Sequence, residues 1–88
     1  MTDLTDDGLL FTTVFLDKER ECLISKEALA DLSGRHVSKM KPADFREVFD
    51  DNAGLIESAA QAVWRDGDVK DDVAVVTAAY LQALRDGR

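Results

Sequence analysis

Between Pro42 and Gly67 the chain carries one apolar stripe at helical spacing. Phe45, Phe49, Asn52, Ile56, Ala59 and Val63 recur every three or four residues, and Asn52 is the single polar member. The pattern predicts one long amphipathic helix over residues 42–66. Pro42 suits the first helical position, where its missing N–H costs nothing, and Gly67 suits the left-handed position just past the end. Asp44 and Glu47 near the start and Arg65 in the last turn each complement the helix dipole. The weak point is Asp50 to Gly54, since Gly costs about 1 kcal/mol relative to Ala inside a helix and Asn is a poor interior residue. The stripe keeps its phase through that point, so a continuous helix is expected, bent there. A stripe of this length has to be buried, and the remaining segments must supply the surface that buries it.

They read as a small sheet. Leu9 to Leu16 is rich in β-branched and aromatic residues, with Phe11, Thr13 and Phe15 on one face and Leu10, Thr12, Val14 and Leu16 on the other. Both faces are apolar, which suits a central strand or a strand that offers one face to a partner. Asp17 to Arg20 reads as a charged turn and Glu21 to Ile24 as a second strand, together an antiparallel hairpin. Ser25 stands where an N-cap is needed for a helix from Lys26 to Leu32 or Ser33, ended by Gly34 and burying Ala28, Leu29 and Leu32. Arg35 to Lys41 links this helix to the long one. Gly67 and Asp68 turn the chain, Asp72 to Val76 forms a third strand, and Thr77 caps a final helix from Ala78 to Leu84 that buries Tyr80, Leu81 and Leu84. The order β-β-α-α-β-α predicts a single α+β domain, with helices on one face of an antiparallel or mixed three-stranded sheet. The polar first eight residues are expected to fray.

Charge and composition narrow the function classes. The 88 residues carry a formal net charge of −7, with 45% hydrophobic and 33% charged residues. This is globular composition, and its sign repels both nucleic-acid phosphates and anionic membrane surfaces. No run is long enough to span a bilayer, and Met1 to Asp7 lacks the basic start of a signal peptide, so the expected location is cytoplasmic. Cys22 is the only cysteine, which excludes an intrachain disulfide and reads as a small core residue.

Candidate chemistry is sparse. His36 is the only histidine, so a zinc site has few ligands to draw on. Ser25 has no Gly-x-Ser-x-Gly around it and is accounted for by capping. The doublets Asp6-Asp7, Asp50-Asp51 and Asp71-Asp72 lack the spacing of a calcium loop and read as solvated acidic faces. No catalytic, cofactor-binding or metal-binding residues are therefore assigned, and no cofactor is expected. Two features stand out as possible contacts for a partner or an anion. Arg35, Lys39 and Lys41, with His36 among them, reverse the local sign of an acidic chain. Trp64 lies about 100° from the centre of the long stripe, at its rim, where it closes a core edge or anchors a partner.

The run Glu21 to Leu29, a strand ending in Ile-Ser and passing directly into a helix with Glu-Ala-Leu, resembles a family of short bacterial proteins known only as a domain of unknown function, number fourteen eighty-eight in that series. Phe49, Asn52, Ile56-Glu57 and Ala59-Ala60 are similar to that family's long helix. Val75-Val76-Thr77 with Tyr80-Leu81 are similar to its closing strand and last helix. The resemblance spans residues 9 to 84. It implies a compact α+β fold with no established activity, and it carries no catalytic residues over.

The functional expectation is a non-catalytic protein-interaction or regulatory module, either a homodimer or the binder of a protein partner. The alternative is a small ligand- or anion-binding protein, or an enzyme, using the Arg35-His36 loop. Phe49→Ala tests the stripe itself. It should cost about 3 to 5 kcal/mol, a large part of what a small domain has, seen as a lower denaturant midpoint. An unchanged midpoint would mean that the helix does not bury this face.

Overall fold

A computed structural model describes residues 3–67 and 69–87. Its elements are β1 (Asp3–Thr5), β2 (Gly8–Phe15), β3 (Lys18–Ser25), α1 (Lys26–Ser33), a 3₁₀ turn (Val37–Lys39), α2 (Pro42–Asp51), α3 (Ala53–Asp66), β4 (Val69–Lys70), β5 (Val73–Val76) and α4 (Ala78–Gly87). The class is α+β, as expected, but the sheet has five strands instead of three, in the order β1-β2-β3-β5-β4. The two additional strands are three and two residues long, too short to show an alternating pattern. The element order is accordingly β-β-β-α-α-α-β-β-α. The sheet is mixed: β1, β2 and β3 run antiparallel, β5 lies parallel to β3, and β4 returns antiparallel to β5.

Strand alternation decides which side chains are covered. Leu9, Phe11 and Thr13 of β2, Cys22 and Ile24 of β3, and Ala74 and Val76 of β5 are buried and face the helices. The helices meet them with Phe45, Val48, Phe49, Ile56, Ala59, Ala60 and Val63, and with Leu29 and Leu81 from the flanking helices. Phe11 and Phe49 rings pack 5.0 Å apart at 59°, a tilted aromatic pair of the favourable kind. The expected stripe is thus the buried face.

The helix carrying it is divided. Asn52 has φ −122° and ψ 20°, and α2 ends and α3 begins there. Its amide Nδ2 donates to the Val48 carbonyl at 2.9 Å, and its backbone N–H also reaches Val48 and Phe49. The half-buried side chain thus competes with the backbone for helical acceptors. The break therefore comes from Asn52, and Gly54 is an ordinary helical residue with open space around it.

The caps fall where the residues place them. Ala28 N–H donates to Ser25 Oγ at 3.1 Å, Tyr80 N–H to Thr77 Oγ1 at 3.1 Å, and Gly34 and Gly67 close α1 and α3 in the left-handed conformation. The Asp44 carboxylate accepts the Lys41 N–H at 2.9 Å at the start of α2. The final helix runs beyond Leu84, whose side chain lies outside the described ones, as do Asp68, Met1 and Thr2. Asp3–Thr5, within the segment expected to fray, pair instead with Gly8–Leu10.

The first hairpin differs from expectation. Phe15 pairs with Lys18, so the turn is Leu16-Asp17 alone and not Asp17 to Arg20. Both turn residues have positive φ, 54° and 65°, the requirement of a type I′ hairpin. Asp71 and Asp72 repeat the device between β4 and β5. Leucine is a costly choice for this conformation, which penalises L-residues by about 1–2 kcal/mol. Gly8 solves a different problem: φ is 149°, and a Cβ there would stand 2.1 Å from the Ile24 carbonyl oxygen.

These two positions give opposite expectations. Leu16→Asn should raise stability by about 1 kcal/mol, because asparagine tolerates the left-handed region. Gly8→Ala should lower it by about 3 kcal/mol or more, through backbone strain added to overpacking. Denaturant melts of both variants check this, and a neutral Gly8→Ala would mean that β2 does not approach β3 as closely as described.

Candidate functional site

Three places combine exposed or unusual chemistry. The first is the loop singled out by its charge. Arg35 and His36 follow the end of α1 and, with Val37, line an open groove of about 450 Å³ whose other wall is Glu27, Ala30 and Asp31 of α1. Glu27 and Asp31 are one helical turn apart, so their carboxylates share one side of the groove with the cations opposite. Arg35 pairs with Asp44 at 3.5 Å, both side chains being partly exposed; such a pair contributes little to stability. His36 caps the 3₁₀ turn: its Nδ1 accepts the Ser38 N–H at 3.3 Å and lies 2.9 Å from Ser38 Oγ. That hydrogen bond leaves the neutral ring's proton on Nε2. Lys39 ends this turn and Lys41 follows it, and both are exposed. Arg35 and His36 are thus brought together, while Glu27, Asp31 and Asp44 interleave with the cations and keep them from forming a purely basic patch.

The second place is the rim tryptophan. Trp64 is half-buried, with the Arg20 guanidinium 5.0 Å above its ring, a cation–π arrangement. The neighbours are Thr13 and Gln61, joined at 3.3 Å, with Gln61 Nε2 also donating to the Val14 carbonyl at 3.0 Å. Cys22 is fully buried beside them and its thiol faces the Arg20 carbonyl at 3.6 Å. Burial pushes the Cys22 thiol above its ordinary value of 9.0; the Trp64 indole and the Thr13 backbone oppose the rise, and the Glu21 charge adds to it. Trp64 Nε1 and Arg20 Nε are both buried with no hydrogen-bond partner among the described residues. The indole therefore acts on the thiol as a nearby dipole without a formed bond. Trp64 lies on the helix-covered side of the sheet. Arg20 was hidden by being read as part of the turn, yet its spacing of two and four from Cys22 and Ile24 puts it in phase with the buried face.

The third place is the other side of the sheet. Leu10, Leu23 and Val75 form one row across β2, β3 and β5, and Thr12, Glu21 and Val73 form the next. Val14 and Glu19 make a third row, at the end where the Leu16-Asp17 turn closes the hairpin. Val14, Leu16 and Val75 are 60%, 74% and 39% exposed, high values for large apolar side chains. The helices pack against the opposite face. Leu10, Val14 and Leu16 were visible in the sequence as the second face of the first strand. Leu23 and Val75 were not, because their alignment with Leu10 depends on the pairing of three strands.

A family described as "Protein of unknown function (DUF1488)" matches residues 2–76. The chain belongs to this family. Comparison with curated proteins and with solved structures gave no match. In this DUF1488 chain the matched span holds the sheet and α1 to α3, and so all three places just described. Among the described residues no three His, Cys, Asp or Glu side chains gather to hold a metal ion, and no helix is long and apolar enough to cross a membrane.

The Cys22 environment has a readable consequence. Well below pH 9.0 the thiol keeps its proton in folded and unfolded chains alike, and it adds no pH dependence. As the pH rises through that value the unfolded chain loses the proton first, so stability falls until the higher folded value is passed. At pH 8 the native thiol should react with a disulfide reagent at least about a hundredfold more slowly than in denaturant, because the thiolate is disfavoured and buried. Equal rates would mean that Cys22 is accessible.

Proposed function

We propose that this protein is a non-catalytic interaction module that binds a protein partner through the open face of its sheet. The observation that carries the reading is the row Leu10, Leu23 and Val75, continued by exposed Val14 and by Leu16 at the hairpin tip. Contiguous apolar surface facing away from a protein's own core marks an interaction site more often than not. Leu16 strengthens it: a leucine in a left-handed turn position costs stability that asparagine or glycine would save, and such local strain is concentrated at functional positions. Trp64 packs beside Arg20 on the helix-covered side of the sheet and is not part of this open face. A second reading, a ligand or anion site, rests on the groove beside Arg35 and His36, where Glu27 and Asp31 partly offset the positive charge.

The test is cross-linked capture from the native cytoplasm with three forms of the chain. Wild type should retain a defined partner. A Leu16→Asn/Val75→Lys variant should stay folded and lose it, since a Lys ammonium set into an apolar contact has no partner there. Arg35→Ala/His36→Ala should retain it. The same captured set from wild type and the sheet variant would remove the reading, and loss only in the loop variant would favour the groove.

A further inference from the structure

The open sheet face also specifies what can cover it. Glu21 occupies the middle strand, between Thr12 on β2 and Val73 on β5, directly beside the apolar row. Glu19 follows on the same face opposite Val14, and Asp3 stands opposite Leu10. Asp17 lies in the turn of the first hairpin, and Asp71 and Asp72 lie in the turn of the second, at the same end of the sheet. Lys70 holds the register position across from Val73, one strand further out. Among the described side chains neither Glu19 nor Glu21 has an ion-pair partner; the pairs Arg35 with Asp44 and Arg65 with Asp66 lie elsewhere.

A surface that seals the apolar row also takes Glu21 out of water. Burying a carboxylate without a counter-charge costs far more than the neighbouring apolar contacts return. A purely apolar partner therefore fails at Glu21. A second copy of this chain stacked face to face is disfavoured, because a two-fold contact brings Glu19 and Glu21 of both copies into one interface while the cation of the same row, Lys70, stands two strands from Glu21. A partner that places a guanidinium or ammonium opposite Glu21 meets neither penalty, and the acidic turns add long-range attraction for it.

We infer that the open sheet face binds a basic amphipathic segment of a protein partner, an apolar ridge flanked by Arg or Lys, with a cation seated on Glu21 and Glu19. This rests on the interaction reading above and adds the chemistry of the partner. Homodimerisation through this face is correspondingly disfavoured.

Three synthetic helical peptides test it, sharing one leucine ridge and carrying Arg, Gln or Glu on the flanks. Each is titrated into the full-length, isotope-labelled chain and followed by amide shifts. The Leu/Arg peptide should shift residues 10, 21, 23 and 75 and bind about tenfold or more tightly than the Leu/Gln peptide, as expected for a close charge pair. In a Glu19→Arg/Glu21→Arg variant the preference should reverse towards the Leu/Glu peptide. An Asp50→Arg/Asp51→Arg variant makes the same change in net charge on α2, away from the sheet, and should keep the wild-type preference within about twofold if the site is local. Retained amide dispersion shows that each variant is folded.

Equal binding of the Leu/Arg and Leu/Gln peptides at this face would overturn the cationic partner and leave the interaction surface standing. Shifts away from the face, or none with any peptide, would overturn both. Equal reversal by the α2 variant would reduce the effect to net charge and overturn the local site. Concentration-dependent dimerisation in sedimentation, mapped to the same amides, would overturn it in favour of a second copy.

Discussion

The register of β3 against β2 and β5 is the constraint on which the other features depend. In the observed pairing Cys22 and Ile24 point into the core and are fully buried, while Glu21 and Leu23 point away from it. A shift of one residue would exchange the two sets and put two glutamates under the helices. Two local devices hold the register. At one end the Leu16-Asp17 turn allows only two residues between the strands, both with positive φ. At the other, Gly8 lets β2 pass so close to the Ile24 carbonyl that no side chain fits. The strain at Leu16 thus also serves the fold, since a longer and looser turn would free the hairpin to slip.

On the covered face, the division of residues 42–66 into α2 and α3 lets one apolar stripe fit a twisted sheet. Asn52 is the position at which the stripe is polar and at which the helix is interrupted. Its amide donates to the Val48 carbonyl, so the interruption leaves that part-buried amide paired. Phe49 before the break packs on Phe11 of β2. Ile56, Ala59 and Val63 after it are buried against the same sheet. The small residues Ala59, Ala60 and Ala62 keep α3 close to the strands, which is why Trp64 can reach Arg20 and the region of Cys22.

Much of this was legible in the residues. The caps at Ser25, Gly34, Pro42, Gly67 and Thr77 are local, each decided by one side chain or one φ angle, and local signals survive in sequence. The long stripe and the second face of the first strand were legible for the same reason, because periodicity is carried by neighbours. β1 and β4 were not, since two or three residues give no period to read. The Leu16-Asp17 turn escaped notice because neither residue is a usual type I′ choice; its identity follows from strand pairing, a tertiary fact. Site residues divide in the same way. Arg35 and His36 were found from local charge and do meet in one groove, whereas Glu27 and Asp31, which share it, come from another element. The row Leu10, Leu23 and Val75 exists only once β5 lies parallel beside β3.

The position of Glu21 is best understood through what it prevents. Glutamate is a poor strand residue, and at the centre of a sheet face flanked by Leu23, Val73 and Thr12 it gives up packing that valine or threonine would supply. An all-apolar face on a small chain would bind any similar face, including its own copy. In the proposed complex, one carboxylate among the apolar side chains changes the ranking of partners more than it changes the strength of the best complex. It adds a desolvation penalty to every partner that lacks a cation and a compensating charge pair to those that have one. Its position matters to that effect. At the rim, water would solvate the carboxylate in any complex and the discrimination would be lost, whereas on the middle strand it must be covered whenever the apolar row is.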